Sequence, residues 1–324
     1  MMTSNGVGYL ELQPKAPFRL DLTVWAMRRR AHNAVDRFDG TWYRRVLDVR
    51  DGAVEVAVRQ IGNIDAPTLA VELQSGATAL SDPVLAACRQ ILELTLGLNT
   101  DLAGFYRMAE LDVQLRELAL RFRGMRPPRF ASVFEAIVNA IVCQQLSLMV
   151  GVHLLNRLSK RYGSTVWEDP GGAAYGAPTA AQVATAEVSE LREFGLSQAK
   201  AGALIAAARA IVENRFDLAA LAQAGDDDAR GQLTALPGIG RWSAEYVLLR
   251  GLGRHHVLPG DDVGASNSLQ RRFGLTTRPN YDRIQQLSQS WRPYGGLVYF
   301  HLLLAGLEAS GQVFGNDSPT HRPE

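Results

Sequence analysis

Apolar residues follow two different periods along the chain. Over the first hundred positions they alternate. Leu10-Glu11-Leu12-Gln13 alternates until Pro14 and Pro17 break the run, and Trp42–Val49, Val54–Ile61 and Thr68–Leu73 repeat Val, Thr and aromatic residues at period two, which predicts strands. Asp51-Gly52 fits a hairpin turn between the first two of these. A helix is predicted over Phe18–Arg30, ending in the basic triplet Arg28-Arg29-Arg30. A second opens at Ser81-Asp82-Pro83, with proline in its first turn, and runs to about Leu96. Strands with a covering helix make a small antiparallel α+β unit.

After about Asn99 the strand signals nearly vanish and apolar residues recur at spacings of three and four. Helices are predicted over Leu111–Arg121, Val133–Val142, Leu146–Tyr162, Thr179–Ala184, Val188–Arg192 and Gln198–Glu213. Six more are predicted over Phe216–Gln223, Asp227–Ala235, Arg241–Gly251, Asp262–Phe273, Tyr281–Gln289 and Leu297–Ala309. The Gly/Pro/Ala stretch Pro170–Pro178 reads as a loop and the segment after Gly315 as a frayed tail. No internal repeat is visible. The chain therefore reads as a small α+β unit (1–99), helical regions over 100–230 and 231–315, and a tail (316–324).

Composition narrows the class. With 324 residues, 47% hydrophobic and 21% charged, the chain is neither disordered nor collagen-like. Its 34 Lys+Arg against 33 Asp+Glu exclude a polybasic tail binder but not nucleic acid, for which a local basic face is enough. The two cysteines, Cys88 and Cys143, are too few for an iron–sulfur cluster or a cysteine-based zinc site. They read as buried, reduced thiols of a cytosolic protein. The first twenty residues lack a basic segment followed by an apolar one, so no secretory signal is expected. The longest apolar run, Ala201–Ala208, is far below the ~20 residues that span a bilayer. A cytoplasmic protein with no membrane association is expected.

The sharpest feature is Leu236-Pro237-Gly238-Ile239-Gly240-Arg241-Trp242-Ser243-Ala244, two glycines around one aliphatic residue between two predicted helices. Glycine permits positive φ and close backbone approach, so a tight hairpin is expected, with its amides and the next helix N-terminus pointing outward together. That arrangement suits a phosphate of a nucleic-acid backbone, contacted at Gly238, Gly240 and Arg241. Carbonyls near Thr234, Leu236 and Ile239 are placed to hold a monovalent cation, Na or K. A bare Gly-x-Gly is usually only a turn; the whole string with its helical flanks points to a phosphate clamp. Downstream, Leu258-Pro259-Gly260-Asp261-Asp262-Val263-Gly264 sets two carboxylates at a predicted helix start. An aspartate there commonly caps the helix. It also suits chemistry that builds positive charge on a sugar, which a fixed carboxylate stabilises. One aspartate capping and the other catalysing satisfies both readings.

Hairpin, spacing and Pro-Gly-Asp-Asp turn resemble the helix-hairpin-helix DNA glycosylases, in particular the 3-methyladenine DNA glycosylase II family. Phe134–Ser147 is similar to that family's first core helix and its Gln-Gln-aliphatic-Ser turn. Phe194-Gly195-Leu196-Ser197 through Lys200-Ala201 is similar to the segment before the hairpin, and Trp291-Arg292-Pro293-Tyr294 to a turn near the end. The resemblance covers about residues 8–310. It implies a mainly α fold of two helical subdomains with the small N-terminal antiparallel α+β domain, and damaged double-stranded DNA as partner of a monomer. It also implies Asp262 as the catalytic aspartate, Asp261 as its non-catalytic neighbour, and Gln145 or Leu146 as the wedge that fills the gap in the duplex. Trp242 and Tyr246 would form the aromatic wall of the base pocket, although a pair four apart on a helix is otherwise more often core.

Trp242 stands where lyase-type relatives carry a Schiff-base lysine, so the resemblance implies a monofunctional enzyme that leaves the abasic sugar uncut. Three positions depart from the pattern: Leu303 stands where a second pocket tryptophan is usual, Val263 where an aromatic often follows the aspartate, and Gly295-Gly296 in place of Arg-Ser. These changes are expected to open the pocket and weaken stacking on a cationic base. An N3- or N7-alkylated purine already carries positive charge and leaves readily, so no required cofactor and no catalytic His or Glu partner is expected. His153, His255, His256 and His301 read as surface or packing residues. Arg28–Arg30, Arg44-Arg45 and Arg121–Arg129 read as solvated faces, and Arg271-Arg272 as the basic pair best placed for a phosphate. The alternatives are a glycosylase of the same superfamily for another damaged base and a non-catalytic helix-hairpin-helix DNA-binding protein. Methyl transfer would need a reactive cysteine in a basic setting, which neither Cys88 nor Cys143 has.

Overall fold

The computed structural model describes residues 6–313 except 51, 77–79 and 170–171. Asp51 of the expected hairpin turn, Pro170 and the expected 316–324 tail lie outside the described residues. Strands β1 (Val7–Leu12), β2 (Arg37–Phe38), β3 (Tyr43–Val49), β4 (Gly52–Gln60) and β5 (Leu69–Ser75) form an antiparallel sheet in the order β1-β5-β4-β3-β2. Pairing Val56 with Leu73 and Val58 with Val71 puts the apolar half of each strand on one face. That face is buried with Val84, Cys88 and Leu92 of helix α2 (Asp82–Thr95). The alternation read from the sequence is thus the core pattern of a half-covered sheet.

Helices make up most of the remainder: α3 (Ala103–Ala109), α4 (Val113–Arg121), α5 (Val133–Cys143), α6 (Leu148–Tyr162), α7 (Ala180–Ala184), α8 (Val188–Glu193) and α9 (Gln198–Val212). They continue through α10 (Leu218–Gln223), α11 (Asp226–Thr234), α12 (Arg241–Arg250), α13 (Val263–Arg272), α14 (Tyr281–Ser288) and α15 (Gly295–Ala309). One apolar core gathers α5, α6, α9, α11 and α12. A second joins α3 and α4 to α13 and α15, so a segment before residue 125 packs with one after residue 258. The cleft described below lies where these two cores meet.

Two local expectations are corrected. The stretch Pro170–Pro178 carries strand β7 (Gly172–Tyr175), paired with β6 (Thr165–Asp169), and Gly176 bridges Val46 of β3. Small residues give little strand signal by themselves; contact with the larger sheet supplies what local propensity lacks. Helix α3 was also not foreseen, because Gly104 and a Phe-Tyr pair obscure its period. A Cβ at Gly104 would fall 1.8 Å from the Tyr294 hydroxyl, so glycine there admits that side chain against the helix.

Helix α1 (Leu20–Arg28) joins everything together. Leu20 and Val24 enter the sheet core, Leu22 and Ala26 the second core, and Met27 the first. The helix then ends at Arg29, with φ 60° and its amide donating to the Trp25 carbonyl. A buried ionic cluster adds a second tie: Arg45 of β3 pairs with Asp36 at 2.8 Å and with Glu135 of α5. Arg45 is therefore no solvated surface residue, and its charge is offset by two carboxylates.

Candidate active site

A cleft of about 1200 Å³ opens between the helical cores, lined by the expected catalytic, base-pocket, wedge and hairpin residues but not by Arg271 or Arg272, the latter pairing with Glu117 at 3.3 Å. On one wall stands the hairpin between α11 and α12. Gly238 has φ +76°, and a Cβ there would meet the Ala203 Cβ of α9 at 2.7 Å, so backbone geometry and packing both require glycine. Gly240 caps α12 without any side-chain bond, which leaves the first amides of that helix free for an anion. Thr234, Leu236 and Ile239 line the same wall. The Leu236 carbonyl accepts from the Ile239 amide at 3.2 Å and keeps its second lone pair, which fits the donor set a monovalent cation takes.

The Gln-Gln-Leu-Ser turn faces the hairpin and is clasped to it. Gln144 Nε2 donates to the Gly238 carbonyl and to Ser243 Oγ, both at 2.7 Å. Lys200 Nζ donates to the carbonyls of Val142 and Gln144 at 2.9 and 2.6 Å. The turn then lifts Gln145, at φ 53°, and the partly exposed Leu146 into the cleft mouth. Ser147 caps α6 through the Val150 amide, so that helix starts at Leu148 and not at the expected Leu146. Cys143 is half-buried in the cleft wall instead of buried, whereas Cys88 is buried in the sheet core.

The two aspartates divide differently from the expectation that one caps while the other catalyses. Asp262 does the capping: its Oδ1 accepts from the Ala265 amide at 2.8 Å. Its other oxygen faces the cleft and accepts from Trp242 Nε1 at 3.2 Å and the Tyr299 hydroxyl at 3.3 Å. Burial and the nearby Asp262 charge push the Tyr299 phenol well above its ordinary range, so it stays a donor. Asp261 instead accepts from Arg241 Nε and Nη2, at 2.7 and 3.0 Å, and Arg241 stacks 3.6 Å above the Tyr281 ring. Arg241 therefore lies in the cleft with its charge already shared. Behind the turn, buried Glu245 accepts from the Gly260 amide at 3.0 Å and the Tyr281 hydroxyl at 2.8 Å, fixing the approach to Asp262.

Trp242 and Tyr246 stack at 5.2 Å and 29°, with Leu303 and Tyr299 of α15 on the same cavity. Tyr299 precedes Leu303 by four, a helical spacing that was visible in the sequence. Val263 is exposed at the cavity edge. The Gly295-Gly296 pair, in contrast, does not open the pocket. A Cβ at Gly296 would fall 2.5 Å from Leu249 and 2.7 Å from the His255 carbonyl, so these glycines seat α15 against the 255–257 segment.

Arg29 is the unexpected wall residue. It is 4% exposed, donates to Asn139 Oδ1 at 2.6 Å and to the Tyr246 hydroxyl at 3.0 Å, and lines the cavity. Its neighbour Arg28 is equally buried, so two members of the basic triplet are not a solvated face. Arg250 lies behind the pocket, fully buried among the rings of Phe130, Phe300 and Tyr246, with its guanidinium 5.6 Å from the Tyr246 centroid.

Residues 138–293 match the family described as HhH-GPD superfamily base excision DNA repair protein. A DNA-3-methyladenine glycosylase of Bacillus subtilis is 28% identical over 63% of this chain and 67% of its own length. DNA-3-methyladenine glycosylase 2 of Escherichia coli is 28% identical over 90% of this chain and 95% of its own. Among solved structures, the 3-methyladenine DNA-glycosylase of Archaeoglobus fulgidus superposes with a TM-score of 0.80. It is 28% identical and covers 92% of this chain and 98% of its own.

Proposed function

Because the chain belongs to the helix-hairpin-helix superfamily of base excision DNA repair proteins, in its 3-methyladenine DNA glycosylase II family, we propose that it is a monofunctional glycosylase that hydrolyses the bond between an alkylated base and deoxyribose. The observation that carries this reading is Asp262, one oxygen bound to its own helix and the other held toward the cavity by Trp242 and Tyr299. Gly238, Gly240 and the α12 amides would take a backbone phosphate beside the lesion, and a Na or K ion on the Thr234, Leu236 and Ile239 carbonyls would add one positive charge there. Gln145 or Leu146 would fill the space left by the extracted nucleotide.

The chemistry asked of the chain is small. As the C1′–N bond breaks, its electron pair leaves with the base and positive charge develops on the sugar. The Asp262 carboxylate stabilises that charge while water adds at C1′ and passes its proton to the surrounding solvent water. Among the described residues no lysine lines the cavity, which supports hydrolysis without strand cleavage. In the apolar-walled cleft a unit charge ~4 Å from the sugar, at an effective dielectric of about 20, contributes about 4 kcal/mol, or roughly a thousandfold in rate.

Asp262→Asn tests the reading. Asparagine caps a helix as well as aspartate, so the fold and binding to abasic-site duplex should persist within a few-fold. Release of methylated bases from alkylated duplex, followed by chromatography, should fall by about three powers of ten. Loss in Asp261→Asn with retention in Asp262→Asn would move the assignment by one residue.

A further inference from the structure

We propose that Arg29 sets the charge preference of the base pocket, favouring neutral damaged bases that leave as anions over bases that enter as cations. The inference rests on the glycosylase reading above and names the substrate class of that same cavity. Arg29 and Arg250 are both almost wholly buried, and among the described residues neither forms an ion pair with a carboxylate. A guanidinium cannot shed its proton, so the pocket is built against two fixed positive charges. Arg29 Nε, Arg250 Nε and Arg250 Nη1 are buried without hydrogen-bond partners, so these charges are only partly compensated.

Charge and orientation then act together. Arg250 already lies beside the Tyr246 ring, whose electron-rich face is what an aromatic wall offers a cationic base. Arg29 occupies a lone pair of the Tyr246 oxygen, which leaves the hydroxyl hydrogen available to donate. A base carrying positive charge is repelled on entry. A neutral base gains negative charge as its bond to C1′ breaks; the electron pair moves onto the ring, and the guanidinium field and the Tyr246 hydroxyl stabilise it in the transition state. Leu303 and Val263 line the same cavity and offer no aromatic face to a cation.

The test compares two duplex substrates with the full-length wild type, Arg29→Met, Arg29→Lys and Tyr246→Phe. One carries N3- and N7-methylpurines, which are cationic; the other carries a single hypoxanthine, a neutral purine with a carbonyl acceptor. Wild type should release both, and Arg29→Met should slow hypoxanthine release at least about tenfold while methylpurine release holds or rises. Arg29→Lys should restore the wild-type ratio, and binding to abasic-site duplex should be unchanged in both. If Arg29→Met does not fold, Tyr246→Phe decides the matter, since it removes the hydroxyl and should lower the ratio of hypoxanthine to methylpurine release. A parallel fall on both substrates, or a wild type that releases methylpurines and no hypoxanthine, overturns the role of Arg29 and leaves the glycosylase reading standing. A wild type that releases neither overturns both.

Discussion

An alanine at Gly238 would place its methyl group 2.7 Å from the Ala203 Cβ while holding φ at +76°. The left-handed backbone costs a non-glycine residue about 1–2 kcal/mol, and relieving an overpacked contact between two helices about 1–3 more. The sum, roughly 2–5 kcal/mol, corresponds to a fall in Tm of about 3–7 °C for a chain of this size. The hairpin must also slide away from Gln144, whose Nε2 holds the Gly238 carbonyl at 2.7 Å, so duplex affinity should fall together with stability. Gly240 is the matched control. Its φ of −96° suits any residue and a Cβ there meets nothing within 4 Å. Gly240→Ala should therefore melt like wild type yet bind every duplex some five- to tenfold more weakly, roughly one contact's worth, because its methyl group stands between the α12 amides and a phosphate. Thermal unfolding by circular dichroism and anisotropy titrations with damaged and undamaged duplexes measure both quantities. Wild-type melting of Gly238→Ala would refute the packing argument. Wild-type affinity of Gly240→Ala, or a loss confined to damaged DNA, would refute the phosphate clamp.

Strand cleavage and acid stability provide two more checks. The last lysine in the sequence, Lys200, spends its ammonium on the Val142 and Gln144 carbonyls, so borohydride in the presence of substrate should trap no covalent protein–DNA adduct; an adduct at the level of a lyase control refutes the monofunctional reading. Burial pushes His301 and His255 down to about 4 from 6.5, so the unfolded chain takes up these protons first and stability is lost as pH falls below 6.5. Each contributes a loss on the order of 3 kcal/mol by pH 4; His301→Phe should flatten the decline in urea midpoints between pH 6.5 and 4, and an unchanged slope would sink the assignment.

What the sequence disclosed, and what it hid, has a physical pattern. The hairpin was legible because Gly238 and Gly240 act through backbone geometry, which a local string encodes completely. Asp262 was legible because its place at a helix start follows from the preceding Pro-Gly turn. Arg29 was not. A basic triplet at a helix end is ordinarily solvated, and only the meeting of α1 with α5 and α12 buries it, a contact that spans more than two hundred residues. The β6–β7 hairpin escaped for the same reason, since small residues become a strand only against the sheet they cover. Gly295-Gly296 carried a misleading signal: the substitution looked like an opened pocket, whereas those positions answer to backbone packing around His255.

Helix α1 gives side chains to all three apolar cores, and this governs how the molecule opens. A terminal helix of nine residues ordinarily frays, and its amides exchange with solvent far faster than those of the interior. Here, releasing Leu20 to Arg28 would uncover part of every core at once and withdraw Arg29 from the cavity. No sub-global opening can therefore free this segment cheaply. In native-state hydrogen exchange the amides of Val24 to Arg28 should join the slowest class, alongside those of α5 and α12, and the molecule should offer proteases no early cut between its sheet and its helices.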